Sequence, residues 1–251
     1  MSRRRIIISG ASSGLGAEMA RRFAAMDRDL GLCARRLDRL EDLRDRLRAE
    51  GARGEIAVRA LDVTDHEAVG TVFGELRDEI GGLDRVIVNA GLGKGASLGT
   101  GRADANLATI RTNLLGGLSQ IEVALEHFRA GGDGHLVLVS SISADRGLPG
   151  AMAAYSASKA GMSALGEGLS VELAGTGIAV TTLLPGFIAT EMAGRAGGRS
   201  MATLDDGVDA MMAAIEAERS RVALPGFRWR VTDMALRYLP LGVTARMIPR
   251  R

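Results

Sequence analysis

The sequence predicts an α/β fold, a single doubly wound domain with a seven-stranded, mostly parallel sheet and helices on both faces. Three observations carry this. Short runs of Ile, Val and Leu recur between stretches whose apolar residues fall at helical spacing, the alternation that builds a parallel sheet. The first run leads directly through a glycine-rich turn into a helix. The length of 251 residues suits one domain of this kind and allows a real core.

Taken in order, Ile6-Ile7-Ile8 is a β-branched run ending in glycine, the mark of a buried strand. Gly10-Ala11-Ser12-Ser13-Gly14-Leu15-Gly16 follows, and then a helix with Leu15, Met19, Ala20 and Phe23 along one face. Glycines between a strand and a helix let the backbone approach a phosphate, and the helix start presents free N–H groups and the positive end of its dipole. The spacing is G-x-x-x-G-x-G rather than the commoner G-x-G-x-x-G. The second strand, Leu30–Ala34, ends in Arg35-Arg36 before a helix that buries Leu37, Leu40, Leu43 and Leu47. In dinucleotide folds an acid at this strand end holds the ribose 2′-hydroxyl, whereas an arginine accommodates a 2′-phosphate. No carboxylate stands here, so NADP(H) is expected over NAD(H). A basic residue also opposes the dipole at a helix start, which argues against a purely solvated role for the pair.

The third strand, Ile56–Leu61, closes on Asp62-Val63-Thr64-Asp65, and the next helix buries Ala68, Val69, Val72, Phe73 and Leu76. The fourth, Arg85–Val88, closes on Asn89-Ala90-Gly91. Ligands of open parallel sheets bind outside the carboxyl ends of the strands, so Gly10, Arg35, Asp62 and Asn89 are expected to line one crevice.

A long helix is expected from Ala103 to Phe128 with Asn113 near its middle; the apolar neighbours Ile110, Leu114 and Leu115 argue against full exposure of that Asn. The fifth strand, His135–Val139, ends in Ser140-Ser141. The following helix carries Tyr155 and Lys159, whose spacing of four puts both on one face. A phenol titrates near ~10 and a neighbouring ammonium lowers that value, which makes a proton donor of the pair. On its own the pair is most simply two solvated helix residues. The sixth strand, Ile178–Leu184, ends in Pro185-Gly186-Phe187-Ile188-Ala189-Thr190, and Arg221–Leu224 is the seventh.

Assembled in this order, the Gly10–Gly16 turn, Asp62-Val63, Asn89-Ala90-Gly91, Asn113, Ser141, Tyr155 with Lys159, and Pro185-Gly186 with Thr190 resemble the short-chain dehydrogenase/reductase family over nearly the whole chain. The resemblance implies a Rossmann-type domain that exchanges a hydride between NADP(H) and a carbonyl or secondary alcohol. It implies that Tyr155 exchanges a proton with the substrate oxygen and Ser141 hydrogen-bonds that oxygen. Lys159 would hold the nicotinamide ribose and depress the Tyr155 pKa, and Asn113 would hold a relay water. Gly10, Ser12, Ser13, Gly14, Leu15 and Gly16 would cradle the cofactor, with Ser13, Arg35 and Arg36 at its 2′-phosphate. Ser13 is neutral where some NADP-preferring members carry a base, so phosphate selection is expected to rest mainly on Arg35. Asp62 and Val63 would meet the adenine, Asn89, Ala90 and Gly91 the middle of the crevice, and Pro185, Gly186, Ile188 and Thr190 the nicotinamide side. Family members place the serine thirteen residues before the tyrosine, whereas Ser141 lies fourteen before and Ser143 twelve. Ser141 is preferred because the Ser-Ser pair ends the strand. Alternatives to a carbonyl reductase are an NADPH-binding regulatory protein without turnover, or a lipid or sterol ketoreductase of the same fold at a membrane surface.

A net charge of +2 gives no argument for nucleic acid. Cys33 is alone, so no intrachain disulfide forms and it is expected to pack as a small apolar residue. His66, His127 and His135 lack metal-ligand spacing, so no metal is expected and they read as surface or loop residues. The apolar run at the start is too short for a signal peptide and no stretch reaches membrane-spanning length, so a cytoplasmic location is expected. The single domain is expected to span 1–251, with 191–205 a glycine-rich substrate lid and 226–251 a basic amphipathic tail. Lys94 and Arg146 are candidates for favouring an anionic substrate. The small-residue helices near 103–128 and 151–173 suit a homodimer or homotetramer, as the resemblance also implies. In the tail, Val231, Met234, Ala235 and Tyr238 lie at helical spacing beside Trp229. They are expected to face the substrate pocket or a subunit interface, with peripheral membrane contact the less favoured alternative.

Overall fold

A computed structural model describes residues 3–93, 95–190 and 201–243. Seven strands, β1 (Arg5–Ser9), β2 (Asp29–Ala34), β3 (Ile56–Ala60), β4 (Arg85–Val88), β5 (Asp133–Val139), β6 (Gly177–Pro185) and β7 (Arg221–Leu224), form one sheet in the order β3-β2-β1-β4-β5-β6-β7. All six neighbouring pairs are parallel, so the sheet of the described residues is wholly parallel. The order reverses between β1 and β4, and a doubly wound sheet opens its ligand crevice at that point.

The period of two along β1 divides the core. Ile6 and Ile8 point to one face, where Met19 and Phe23 of α1 (Gly14–Ala24), Leu40, Leu43 and Leu47 of α2 (Leu37–Ala49), and Val208 and Met211 cover them. Ile7 points to the other face, under Val69, Phe73 and Leu76 of α3 (His66–Glu79) and Ile121, Ala124 and Phe128. Both faces are dry, which is why the strands read as continuous apolar runs.

The helix expected from 103 to 128 is interrupted. Helix α4 (Ala103–Ile110) passes into one π turn, Arg111–Leu115, and continues as α5 (Gly116–Gly131). Asn113 sits in the π turn and is buried. Periodicity does not show such a turn, because one extra residue per turn barely disturbs the apolar stripe. The remaining helices are α6 (Ala153–Glu172), α7 (Leu204–Glu216) and α8 (Gly226–Tyr238).

Far from the crevice, at the amino ends of the strands, His135 is fully buried rather than on the surface. Arg85 Nε donates to its Nδ1 at 2.9 Å, which leaves the proton on Nε2, 2.9 Å from Thr181 Oγ1. Burial, then the charges of Arg85 and Arg3, push its pKa down to about 2, so the ring stays neutral. Its partners are about fifty residues away in sequence, so no local pattern announces them. Cys33 is buried as expected, and burial pushes its thiol up to about 12.

Candidate active site

Strand ends assemble the crevice. Gly10 follows β1 with φ +65°, and a Cβ there would lie 2.8 Å from Ala90 Cα. At Gly16, inside α1, a Cβ would lie 2.6 Å from Asn89 Nδ2. The two glycines thus let α1 and the β4 end close on the β1 end. Asn89 Nδ2 donates to the carbonyls of Ser9 (3.0 Å) and Gly10 (3.3 Å), and the Ser9 hydroxyl accepts from the Asn89 and Ala90 N–H groups. Ser13 is the N-cap of α1 but makes no side-chain cap bond, so the first-turn N–H groups are left for another acceptor. Leu15 tucks half-buried against the core beside this turn, and Gly14 faces Thr190, 3.7 Å from where its Cβ would be.

Of the two arginines after β2, Arg36 is the one that meets the turn, donating to both Ser12 Oγ and Ser13 Oγ at 3.0 Å. The Arg35 charge is felt at Asp62. The Thr64 N–H, then its hydroxyl and the Arg35 charge, hold the Asp62 carboxyl below its usual range. The expectation names Arg35 for the phosphate; Arg36 is the arginine hydrogen-bonded to the two serines. Val63 is buried, and the absence of a side chain at Gly116 brings α5 against it.

The β5 end sorts its three serines. Ser140 Oγ donates to the Lys159 carbonyl at 2.9 Å, so it packs the strand onto α6. Ser141 hydrogen-bonds the Tyr155 phenol. Ser143 is buried and donates through its hydroxyl (3.0 Å) and its N–H (3.2 Å) to Ser141 Oγ. The fourteen-residue spacing therefore still brings Ser141 to the tyrosine. Ser143, weighed in the sequence as a rival, is its neighbour in one chain of hydroxyls.

Helix α6 brings Tyr155 and Lys159 together, with the ammonium 5.8 Å from the ring centroid. Lys159 is only 6% exposed and donates to the Val139 carbonyl at 2.8 Å. Burial pulls its pKa down to about 8. Burial raises the Tyr155 pKa, opposed by the Ser141 hydrogen bond. For the protein alone burial thus outweighs the serine hydrogen bond at the phenol, and the Lys159 ammonium is turned to a main-chain carbonyl. Asn113 closes the group. Its Nδ2 donates to Ser158 Oγ (3.1 Å) and the Leu92 carbonyl (3.0 Å), and its Oδ1 accepts from the Leu92 N–H (2.6 Å). Ser158 in turn donates to the Tyr155 carbonyl at 2.7 Å. Gly91 fits between Asn113 and Lys159.

Pro185 ends β6. A Cβ on Gly186 would lie 2.5 Å from Cε2 of Trp229, so the indole of α8 packs flat on this glycine. Ile188 is buried and pairs with Ala202 in an isolated parallel bridge. Most of the expected lid, 191–200, lies outside the described residues, as does Lys94; Leu204 already begins α7. Arg146 does not face the crevice. It donates to the Leu236 (2.9 Å) and Leu239 (2.6 Å) carbonyls and caps the end of α8.

The family model for short chain dehydrogenases matches residues 4–199. The chain is a short-chain dehydrogenase. Members of this family use nicotinamide cofactors and act on alcohol or carbonyl groups of small molecules. This short-chain dehydrogenase is 53% identical over 248 residues to an uncharacterised oxidoreductase of Mycobacterium tuberculosis, covering 98% of each chain. An uncharacterised oxidoreductase of Myxococcus xanthus is 40% identical over 192 residues, 76% of this chain and 75% of its own. Among solved structures, levodione reductase shares the fold at TM-score 0.79 and 24% identity, over 87% of this chain and 94% of that one. An alcohol dehydrogenase of the archaeon Thermococcus sibiricus, complexed with 5-hydroxy-NADP, matches at TM-score 0.76 and 26% identity, over 87% and 93%. The described residues contain no helix long and apolar enough to cross a membrane.

Proposed function

We propose that this short-chain dehydrogenase interconverts a carbonyl and a secondary alcohol with NADP(H), using Tyr155 as acid and base. The observation that carries the reading is the meeting of Ser141, Tyr155, Lys159 and Asn113 at the carboxyl end of the sheet: Ser141 on the phenol, the Lys159 ammonium 5.8 Å from its ring, and Asn113 tied through Ser158 to the Tyr155 carbonyl. A protein that only bound a nucleotide would have no use for a phenol held by a serine above a buried amine.

The residues at the β1 and β2 ends fit a dinucleotide phosphate ester. Gly10 and Gly16 let the turn close on Asn89 and Ala90, the α1 start has N–H groups without a side-chain cap, and Arg36 with Ser12 and Ser13 forms a cationic corner. Arg35, Asp62, Val63, Asn89, Ala90 and Gly91 continue the wall, with Gly186, Ile188 and Thr190 opposite. When bound, the nicotinamide supplies or receives the hydride. The protein then handles one proton and one developing charge. Ser141 donates to the substrate oxygen and fixes it within reach of the Tyr155 hydroxyl, which delivers the proton as negative charge builds on that oxygen. Lys159 lies close enough to favour the phenolate that remains, and Asn113 connects this end of α6 to Leu92 in the loop after β4. In the family such domains are often oligomeric, and the exposed Leu107, Leu115 and Val171 on α4–α6 suit a dimer or tetramer of this chain.

The test is NADPH and NADH oxidation by the purified protein across a panel of ketones, aldehydes and quinones, with Tyr155→Phe as the blank. Turnover with NADPH that vanishes in the variant supports the reading. Preference for NADH, or equal rates in both proteins, overturns it.

A further inference from the structure

The outer face of α8 has no counterpart in the chemistry above. Trp229 and Leu236 point inward and are buried, Trp229 within a small cluster with Ile142, Leu184 and Ala223. On the opposite side of the helix Phe227, Val231, Met234 and Tyr238 are 78%, 46%, 59% and 74% exposed. Their spacing of four, three and four residues makes one continuous stripe. At 100° per residue the stripe occupies an arc of about 60°, with Arg230 and Arg237 along one border and Arg228 along the other. Of the expected surroundings of this stripe, substrate pocket or subunit interface, the outward-facing exposure does not suit the pocket.

Beside it lies a groove of about 370 Å³ between α8 and the edge strand β7. Arg219, Arg221, Arg230 and Arg237 line it together with Met234 and Tyr238. Asp233 is engaged by Arg221 through two bonds of 3.0 Å, Arg221 also reaches Asp145 at 2.7 Å, and Arg237 pairs with Glu167 at 3.7 Å. Arg219, Arg228 and Arg230 leave this surface net positive.

We propose that the outer face of α8 docks on an anionic phospholipid surface. The apolar stripe would enter the boundary between headgroups and acyl chains, and the bordering guanidiniums, with the groove behind them, would hold headgroup phosphates. Charge complementarity selects this occupant. A second copy related by a two-fold axis would bring Arg228, Arg230 and Arg237 against their own equivalents, whereas a phosphate-bearing surface neutralises them. The helix is already rigidly tied to the β5 loop by Arg146 and Arg221 and to Gly186 by Trp229, so docking requires no rearrangement.

The experiment is co-sedimentation of the full-length protein with vesicles of phosphatidylglycerol and phosphatidylcholine, against pure phosphatidylcholine, at an ionic strength of about 0.15 M. Retention on the anionic vesicles alone is expected, weakening with added salt. Arg230→Ser/Arg237→Ser should lower the partition coefficient about 25-fold, roughly fivefold per arginine. Phe227→Ser/Met234→Ser should lower it roughly tenfold or more at unchanged charge. All four positions are exposed, and an unchanged melting temperature confirms that each variant folds. Equal retention on both kinds of vesicle, or on neither, overturns the proposal. So does binding of free inorganic phosphate without vesicle retention. Conversion of an oligomer to a monomer by Phe227→Ser/Met234→Ser, with vesicle retention unchanged, would assign the face to a second copy instead.

Discussion

The Ser143 hydroxyl donates to the Ser141 hydroxyl at 3.0 Å, and the Ser143 N–H reaches the same oxygen at 3.2 Å. With two donors aimed at it, the Ser141 oxygen is left to turn its own proton outward, toward the phenol of Tyr155. In the proposed mechanism Ser143 is therefore a positioning residue. Ser141→Ala should lower kcat about 10²- to 10³-fold, the usual effect of losing one donor to a developing oxyanion. Ser143→Ala should lower kcat only about three- to tenfold with KM little changed, since Ser141 keeps the N–H bond and loses the stronger half of its orientation. Steady-state kinetics of the two variants decide this; equal losses would contradict the division of roles.

Lys159 makes a prediction about stability rather than rate. Its pKa falls from an unfolded value near 10.4 to about 8 when buried, so the folded state releases its proton first. Below pH 8 the chain is charged in both states and the cost of burying that charge is fully present. Between about pH 8 and 10.4 the unfolded state binds more protons, so stability rises with pH, by on the order of 3 kcal/mol in total. Urea midpoints for the protein without cofactor should show that rise, and Lys159→Met should abolish it whatever its absolute stability. A rise that persists in the variant would place its source elsewhere.

Trp229 is the protein's single tryptophan, so its fluorescence reports the seating of α8. Gly186→Ala would drive a methyl group into the indole and should cost about 1–3 kcal/mol. The emission maximum should shift to the red as the indole gains water. An unshifted spectrum with unchanged stability would mean that the helix does not rest on this glycine.

For the phosphate corner, Arg36→Ala should raise KM for NADPH about tenfold or more and leave KM for NADH within about twofold, since one charge-assisted contact is lost. Arg35→Ala should act more weakly, because Arg36 is the arginine that reaches Ser12 and Ser13. Measured KM values for both cofactors in both variants test the order; a larger effect at Arg35 would reverse it.

Much of this was legible in the chain. The strand runs, the Gly10–Gly16 turn and the four-residue step from Tyr155 to Lys159 are local patterns, and the structure keeps every one of them. The three serines after β5 were not separable by counting, because the path of the loop, not its length, decides which hydroxyl meets the phenol. The π turn at Asn113 escaped because it leaves the apolar period nearly intact. His135 was misread because its partners come from three other segments.

The sequence by itself determined the class of fold, the strand ends that meet in one crevice and the residues proposed to carry the chemistry. These follow from backbone periodicity and from spacings within single elements, which act over a few residues. Only the tertiary structure decided that Arg36 rather than Arg35 reaches Ser12 and Ser13, that Arg146 caps α8, and that Phe227, Val231, Met234 and Tyr238 face outward. Each of those depends on which side of an element packs first. An amphipathic stripe records that a face is apolar; what lies against it is set by the remaining elements of the fold.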